Sequence, residues 1–114
     1  MTAGDLLRAY AEHLDTGAEA LERGDDPTVT WLEARRDFDD RLRRTSDWHE
    51  VVTSPDGIAA LSRRRIAAAR FEDALRGRLA DLADAVAAAR RTRTGHRAYR
   101  DRGVGAALYF QRRN

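Results

Sequence analysis

Cysteine is absent from this chain of 114 residues, which excludes disulfides and thiolate chemistry and fits a reducing compartment. Lysine is absent as well, so all 21 basic residues are arginine. Only Pro27 and Pro55 interrupt the backbone, and aromatic residues make up 7% of the chain. Isoleucine and valine are equally sparse, which leaves little from which to build a sheet. No run approaches the roughly 20 apolar residues of a membrane span. Met1 to Leu7 lacks the basic and apolar regions of a signal peptide, so a cytoplasmic protein is expected.

Other absences bear on chemistry. Gly103-Val104-Gly105 follows no strand signal and carries no Lys-Ser/Thr, so it is no phosphate loop. His13, His49 and His96 lie far apart, without metal-ligand spacing. No serine has a plausible histidine and acid arrangement. Asp37, Asp39, Asp40, Asp81 and Asp84 read as the charged outer face of helices. We therefore expect no enzyme, no cofactor and no metal.

What is present points to helix. Alanine, arginine and leucine rank among the best helix formers, and the length fits one domain. The period of Leu7, Tyr10, Leu14 and Leu21, with Gly17 on the same stripe, predicts a first helix from about Gly4 to Arg23. Gly24 is its stop. Asp26 as cap and Pro27 at the first position predict a second helix to about Arg44. Its apolar face is Trp31, Leu32, Phe38 and Leu42, with the Arg35 stem alongside and its head expected in water. Thr45 to Ser54, with Trp48, Val51 and Val52, is a loop or a short helix. Ser54-Pro55-Asp56 opens a long third helix.

Ile58, Leu61, Ile66 and Phe71 lead that helix into Leu75, Leu79, Leu82 and Val86. These four are spaced 4, 3 and 4, a short heptad seam that wants a helical partner. Ending near Thr94, the helix would have about 40 residues and span roughly 60 Å. That is more than two short helices can cover. The expected fold is all-α: an antiparallel hairpin or bundle (residues 1–94) with two shorter N-terminal helices and one long third helix. A basic C-terminal tail or short helix (residues 95–114) of the same domain completes it.

Charge is unevenly distributed. Residues 90–114 hold eight arginines and a single acid, Asp101, whereas the first 89 residues hold thirteen arginines and eighteen acids. Such asymmetry suits an acidic partner. Gly103 and Gly105 are expected to break the end, whose apolar cluster of Ala106 to Phe110 is too short to fold alone.

The layout resembles the small flagellar export chaperones of the FliT and FlgN type. Three stretches carry the likeness: Leu6-Leu7-Arg8-Ala9-Tyr10 with the acidic linker at Gly24-Asp25-Asp26, then Trp31-Leu32-Glu33-Ala34-Arg35-Arg36 through Leu42, and the C-terminal end. The last is the distinctive one: Gly95-His96-Arg97-Ala98-Tyr99, a glycine-containing gap, then Tyr109-Phe110-Gln111-Arg112-Arg113. The family pattern there is Gly, basic residues, Ala-Tyr, a gap with Gly, and an aromatic-Asp-basic-basic-Gly ending. Gln111 stands where the family has Asp, and Asn114 where it often has Gly.

The resemblance implies a helical cytoplasmic type III export chaperone. Such a protein holds a late flagellar subunit, the filament cap or a hook-associated protein, against premature assembly. Export apparatus components are further expected partners. The client surface expected here is Leu75, Leu79, Leu82 and Val86, continued by Tyr99, with Leu108, Tyr109 and Phe110 as a regulatory plug over it. The plain alternative is that the seam is bundle core. The competing function is a nucleic-acid-associated or regulatory helical protein acting through its arginine-rich end. Tyr99, Tyr109 and Phe110 could stack on bases there, although an acidic body opposes a phosphate backbone. A coiled-coil component of a secretion apparatus is a third reading. The client and the choice between monomer and homodimer stay open.

Overall fold

The computed structural model describes the backbone of residues 1–113 and the side chains of residues 1–97. The chain is all-α, with helices α1 (Ala3–Glu22), α2 (Val29–Arg44), α3 (Trp48–Thr53) and α4 (Pro55–Arg113), and no strand among the described residues. Two compact units divide it at Arg78 and Leu79.

In the first unit, α1 starts at a capping box. The Asp5 N–H donates to Thr2 Oγ1 at 3.1 Å and the Thr2 N–H to Asp5 Oδ2 at 3.2 Å, so two otherwise orphaned donors satisfy each other. The helix ends as its sequence predicts, at Gly24. This is the one residue with positive φ among those described, at 88°. Its N–H reaches the Leu21 carbonyl and that of Asp25 reaches Ala20, both at 2.9 Å, a closure that needs the left-handed conformation glycine adopts freely.

The start of α2 corrects the expected cap. Thr28, not Asp26, accepts the N–H of Trp31, at 3.0 Å. The carboxylate of Asp26 is engaged elsewhere, on Arg78 Nε at 2.9 Å, and Pro27 precedes the cap instead of opening the helix. Leu32 also departs from its expected role. It is exposed, while Trp31, Phe38 and Leu42 pack on the core.

Residues 48–53 form a helix, so the long helix is the fourth and not the third. Val51 of α3 is buried with Ala3, Leu7 and Ala60, and Asp47 Oδ2 accepts the N–H of Ala3 at 3.3 Å. Ser54 caps α4 through the Gly57 N–H at 3.0 Å. A Cβ on Gly57 would lie 2.6 Å from Val51 Cα, so only glycine allows α3 to fold back so closely.

Neighbouring pairs define the helix directions in this unit. Along α1, Tyr10 stacks on Phe38 at 5.1 Å and His13 on Trp31 at 4.4 Å, so α2 descends as α1 ascends. Against α4 the order is the reverse. Arg8 pairs with Asp56, Asp15 with Arg63 and Glu22 with Arg70, each 48 residues apart, and Asp26 pairs with Arg78. An unchanging offset at steps of seven residues means that α1 and the start of α4 run parallel. These pairs are largely exposed, so each contributes little stability. They set register, while the apolar core carries the energy.

That core is Tyr10, Ala11, Leu14, Ala18, Leu21, Ala67 and Phe71, covered by α2. Phe71, at 2% exposure, stacks on Trp31 at 4.9 Å and receives the Arg35 guanidinium on its face. The Arg35 head therefore lies on an aromatic ring and not in water as expected, because the ring face attracts the guanidinium.

The described part of the second unit, from Leu79 on, is the remainder of α4, which runs to Arg113. The expected break after Thr94 does not occur, and the backbone is helical to Arg113. Gly95, Gly103 and Gly105 each weaken a helix by about 1 kcal/mol relative to alanine, but without a proline nothing removes a hydrogen bond or forces a kink.

Candidate partner-binding surface

The heptad seam divides into two parts. Leu75 packs against the core of the first unit and is accounted for by the fold. Leu79, Leu82 and Val86 belong to the second unit and are 56%, 39% and 50% exposed. Leu75, Leu79, Leu82 and Val86 keep one 4, 3, 4 spacing along α4. Each of the three exposed residues leaves apolar area in contact with water. Single exposed leucines are ordinary. Three on one stripe within about two turns form a contiguous patch.

Tyr99, expected to continue this surface, and Leu108, Tyr109 and Phe110, expected to plug it, have side chains outside the described residues.

The structure adds a feature the residue-by-residue reading passed over. Val86 is followed at spacings of 4, 3 and 4 by Arg90, Arg93 and Arg97, all exposed. These spacings keep the arginines on the apolar stripe's own face. Leu82, Ala83, Val86, Ala87, Arg90 and Arg91 line one shallow depression, so apolar and cationic groups share a surface. Asp81 and Asp84 fall on the opposite side of the helix by the same period. Arg90, Arg91 and Arg93 take part in none of the ion pairs among the described residues. The signal was available in the sequence: carrying the heptad count past Val86 would have found it.

Among the described residues, the perturbed titratable groups lie in the first unit. Burial, and then a 2.7 Å hydrogen bond to Asp39, pushes the Tyr10 hydroxyl pKa up. Burial holds His13 below the usual histidine value, against the raising effect of the Trp31 carbonyl, which lies 3.0 Å from Nε2. His13 is tied twice to α2, because its own carbonyl accepts the Trp31 indole N–H at 3.1 Å. Arg8 and Thr2 hold the Asp5 carboxyl below the carboxylate range. Each of these side chains is spent on an internal partner. Among the described residues no group of three or more histidines or acids is placed to hold a metal ion, and no helix is long and apolar enough to cross a membrane.

No protein-family model, no curated protein and no solved structure matches the chain.

Proposed function

We propose that this chain is a protein-binding helical protein that holds an amphipathic helix of a partner along the second unit of α4. The exposed stripe Leu79, Leu82 and Val86 is the observation that carries this reading. A helix with an uncovered apolar stripe gains by burying it against a second helix, and helix-in-groove recognition uses this i, i+3, i+7 spacing. The proposed arrangement is a hairpin-type helical bundle, folded by residues 1–78, from which the rest of the long helix offers its seam. The reading assigns no reaction to the protein.

The resemblance of the N-terminal helices and the C-terminal aromatic-basic ending to flagellar export chaperones supports a narrower form of the proposal. In that form the protein is a cytoplasmic type III export chaperone. Its client is the helical, assembly-prone end of a filament-cap or hook-associated protein, and export apparatus components are further partners. It acts as a monomer or a homodimer. Covering the client's apolar stripe would prevent its polymerisation before export.

Titration of the purified protein with the late flagellar subunits of its source organism tests the proposal. One subunit is expected to bind, and the double variant Leu82→Glu/Val86→Glu is expected to lower the affinity at least about tenfold. Its circular dichroism should be unchanged, since both positions are exposed. Binding that survives the double substitution removes this stripe as the site. Failure of every flagellar subunit to bind, with nucleic acid binding that weakens steeply as salt rises, moves the function to the arginine-rich end.

A further inference from the structure

The second unit's stripe ends in positive charge, and that end narrows what can occupy it. From Leu79 to Val86 the face is apolar for about 10 Å, and Arg90, Arg93 and Arg97 extend it by roughly 16 Å on the same side. An apolar helix that followed the stripe further would have to pass three guanidinium groups. Burying them without partners is costly. A helix that brings carboxylates to these positions instead gains charge-assisted contacts. Asp81 and Asp84 point to the other side by helical period, so they do not neutralise this face. The arginines at 90, 91 and 93 have no acidic partner among the described residues. On the side of α4 that meets α1, the first unit differs. There Arg63, Arg70 and Arg78 are each paired with an acid of α1 or of the loop that follows it. The same residue type on the same helix has its counter-charge supplied at Arg63, Arg70 and Arg78, whereas Arg90, Arg91 and Arg93 have none among the described residues.

We infer that the surface Leu79–Arg97 recognises an amphipathic helix of another protein whose two-turn apolar stripe is followed, at one end and on the same face, by a run of acidic residues. The apolar part supplies adhesion. The acidic run sets which helices are accepted and in which direction they lie. Direction follows because a helix laid the other way would set its acids beside Leu79 and Leu82 and leave the arginines buried against apolar groups. A partner with lysine or arginine in place of the acids is rejected by like charge. This inference rests on the helix-binding reading above but not on the flagellar identity of the partner.

Synthetic helical peptides of about 20 residues test it. All carry the same three-residue leucine stripe, and differ only in a flanking block of glutamate, glutamine or lysine on the same face. Their binding to the full-length protein is measured by fluorescence anisotropy at about 50 mM and about 500 mM salt. At low salt the glutamate peptide is expected to bind about tenfold more tightly than the glutamine peptide, with the lysine peptide weakest. That ratio should shrink at high salt, where the charges are screened. In the triple variant Arg90→Glu/Arg93→Glu/Arg97→Glu the order should reverse and the lysine peptide bind best. Circular dichroism establishes that the variant keeps its helix. Equal affinity for the three peptides, or an unchanged order in the variant, overturns the inference and leaves the apolar stripe as a charge-blind site. Binding of none of the peptides, with or without the substitutions, defeats the helix-binding reading and the inference with it. Equal loss of all three peptides in Leu82→Glu/Val86→Glu is the expected control.

Discussion

Adding one methyl group to Gly17 should destabilise the first unit, while the same change at Gly77 should stabilise it. Both glycines sit inside helices, where glycine to alanine is worth about 1 kcal/mol in favour of alanine from backbone entropy alone. Gly17 lies at the crossing of α1 and α2. A Cβ there would stand 2.7 Å from Trp31 Cε2 and 3.1 Å from Phe71 Cε2. The indole cannot move away alone, because it stacks on His13 and Phe71 and donates its N–H to the His13 carbonyl. Overpacking of this kind costs about 1–3 kcal/mol. Breaking the indole hydrogen bond adds about 1 kcal/mol, and losing a stacking pair about another 1 kcal/mol. After subtracting the propensity gain, Gly17→Ala should cost about 2–4 kcal/mol. A Cβ on Gly77 would meet nothing within 4 Å, so Gly77→Ala should gain up to about 1 kcal/mol. Urea unfolding followed by tryptophan fluorescence reads the right region, since Trp31 and Trp48 both lie in the first unit. In thermal melts each kcal/mol corresponds to about 4–8 °C for a unit of this size. A Gly17→Ala protein as stable as the parent would refute the close α1–α2 crossing, and with it the placement of Trp31 over Phe71.

Two further predictions concern the same unit. Thr28→Ala should cost about 1 kcal/mol by removing the cap of α2, whereas Asp26→Ala should cost only a few tenths, the value of an exposed ion pair. Equal losses in urea midpoints would mean that the cap is misassigned. Burial lowers the His13 pKa in the folded chain below its ordinary 6.5. Below about pH 6.5 the unfolded chain therefore takes up a proton that the folded chain does not, so stability is full above that pH and falls as pH drops toward the folded value. Urea midpoints between about pH 7.5 and about pH 5 should decline in the parent and flatten in His13→Gln. Identical slopes in the two proteins would refute a half-buried, neutral His13.

Much of this was legible from residue order alone, for reasons that are local. Helix-forming composition, the absence of β-branched runs, Gly24 as a stop and Ser54-Pro55 as a start act within a few residues, where hydrogen bonding and φ preferences decide the outcome. The heptad spacing of Leu75 to Val86 was equally plain. Local rules failed where two signals competed. Asp26 and Thr28 could both cap α2, and the choice fell to Thr28 because Arg78, distant in sequence, engages Asp26. Leu32 and Trp31 are neighbours, and both are apolar. Only the position of His13 and Phe71 determined that the indole turns inward and the leucine outward. The C-terminal glycines argued for a break that an otherwise strong helix former does not make.

Residue order by itself thus determined that this chain is helical, where α1 and α4 begin, and that one long helix carries an apolar stripe. Tertiary structure alone decided which part of that stripe is used. Leu75 is taken into the first unit's core by packing, while Leu79, Leu82 and Val86 are left exposed. Periodicity encodes a face, but whether a face is covered depends on the reach and direction of other helices, and those follow from contacts that no local spacing contains.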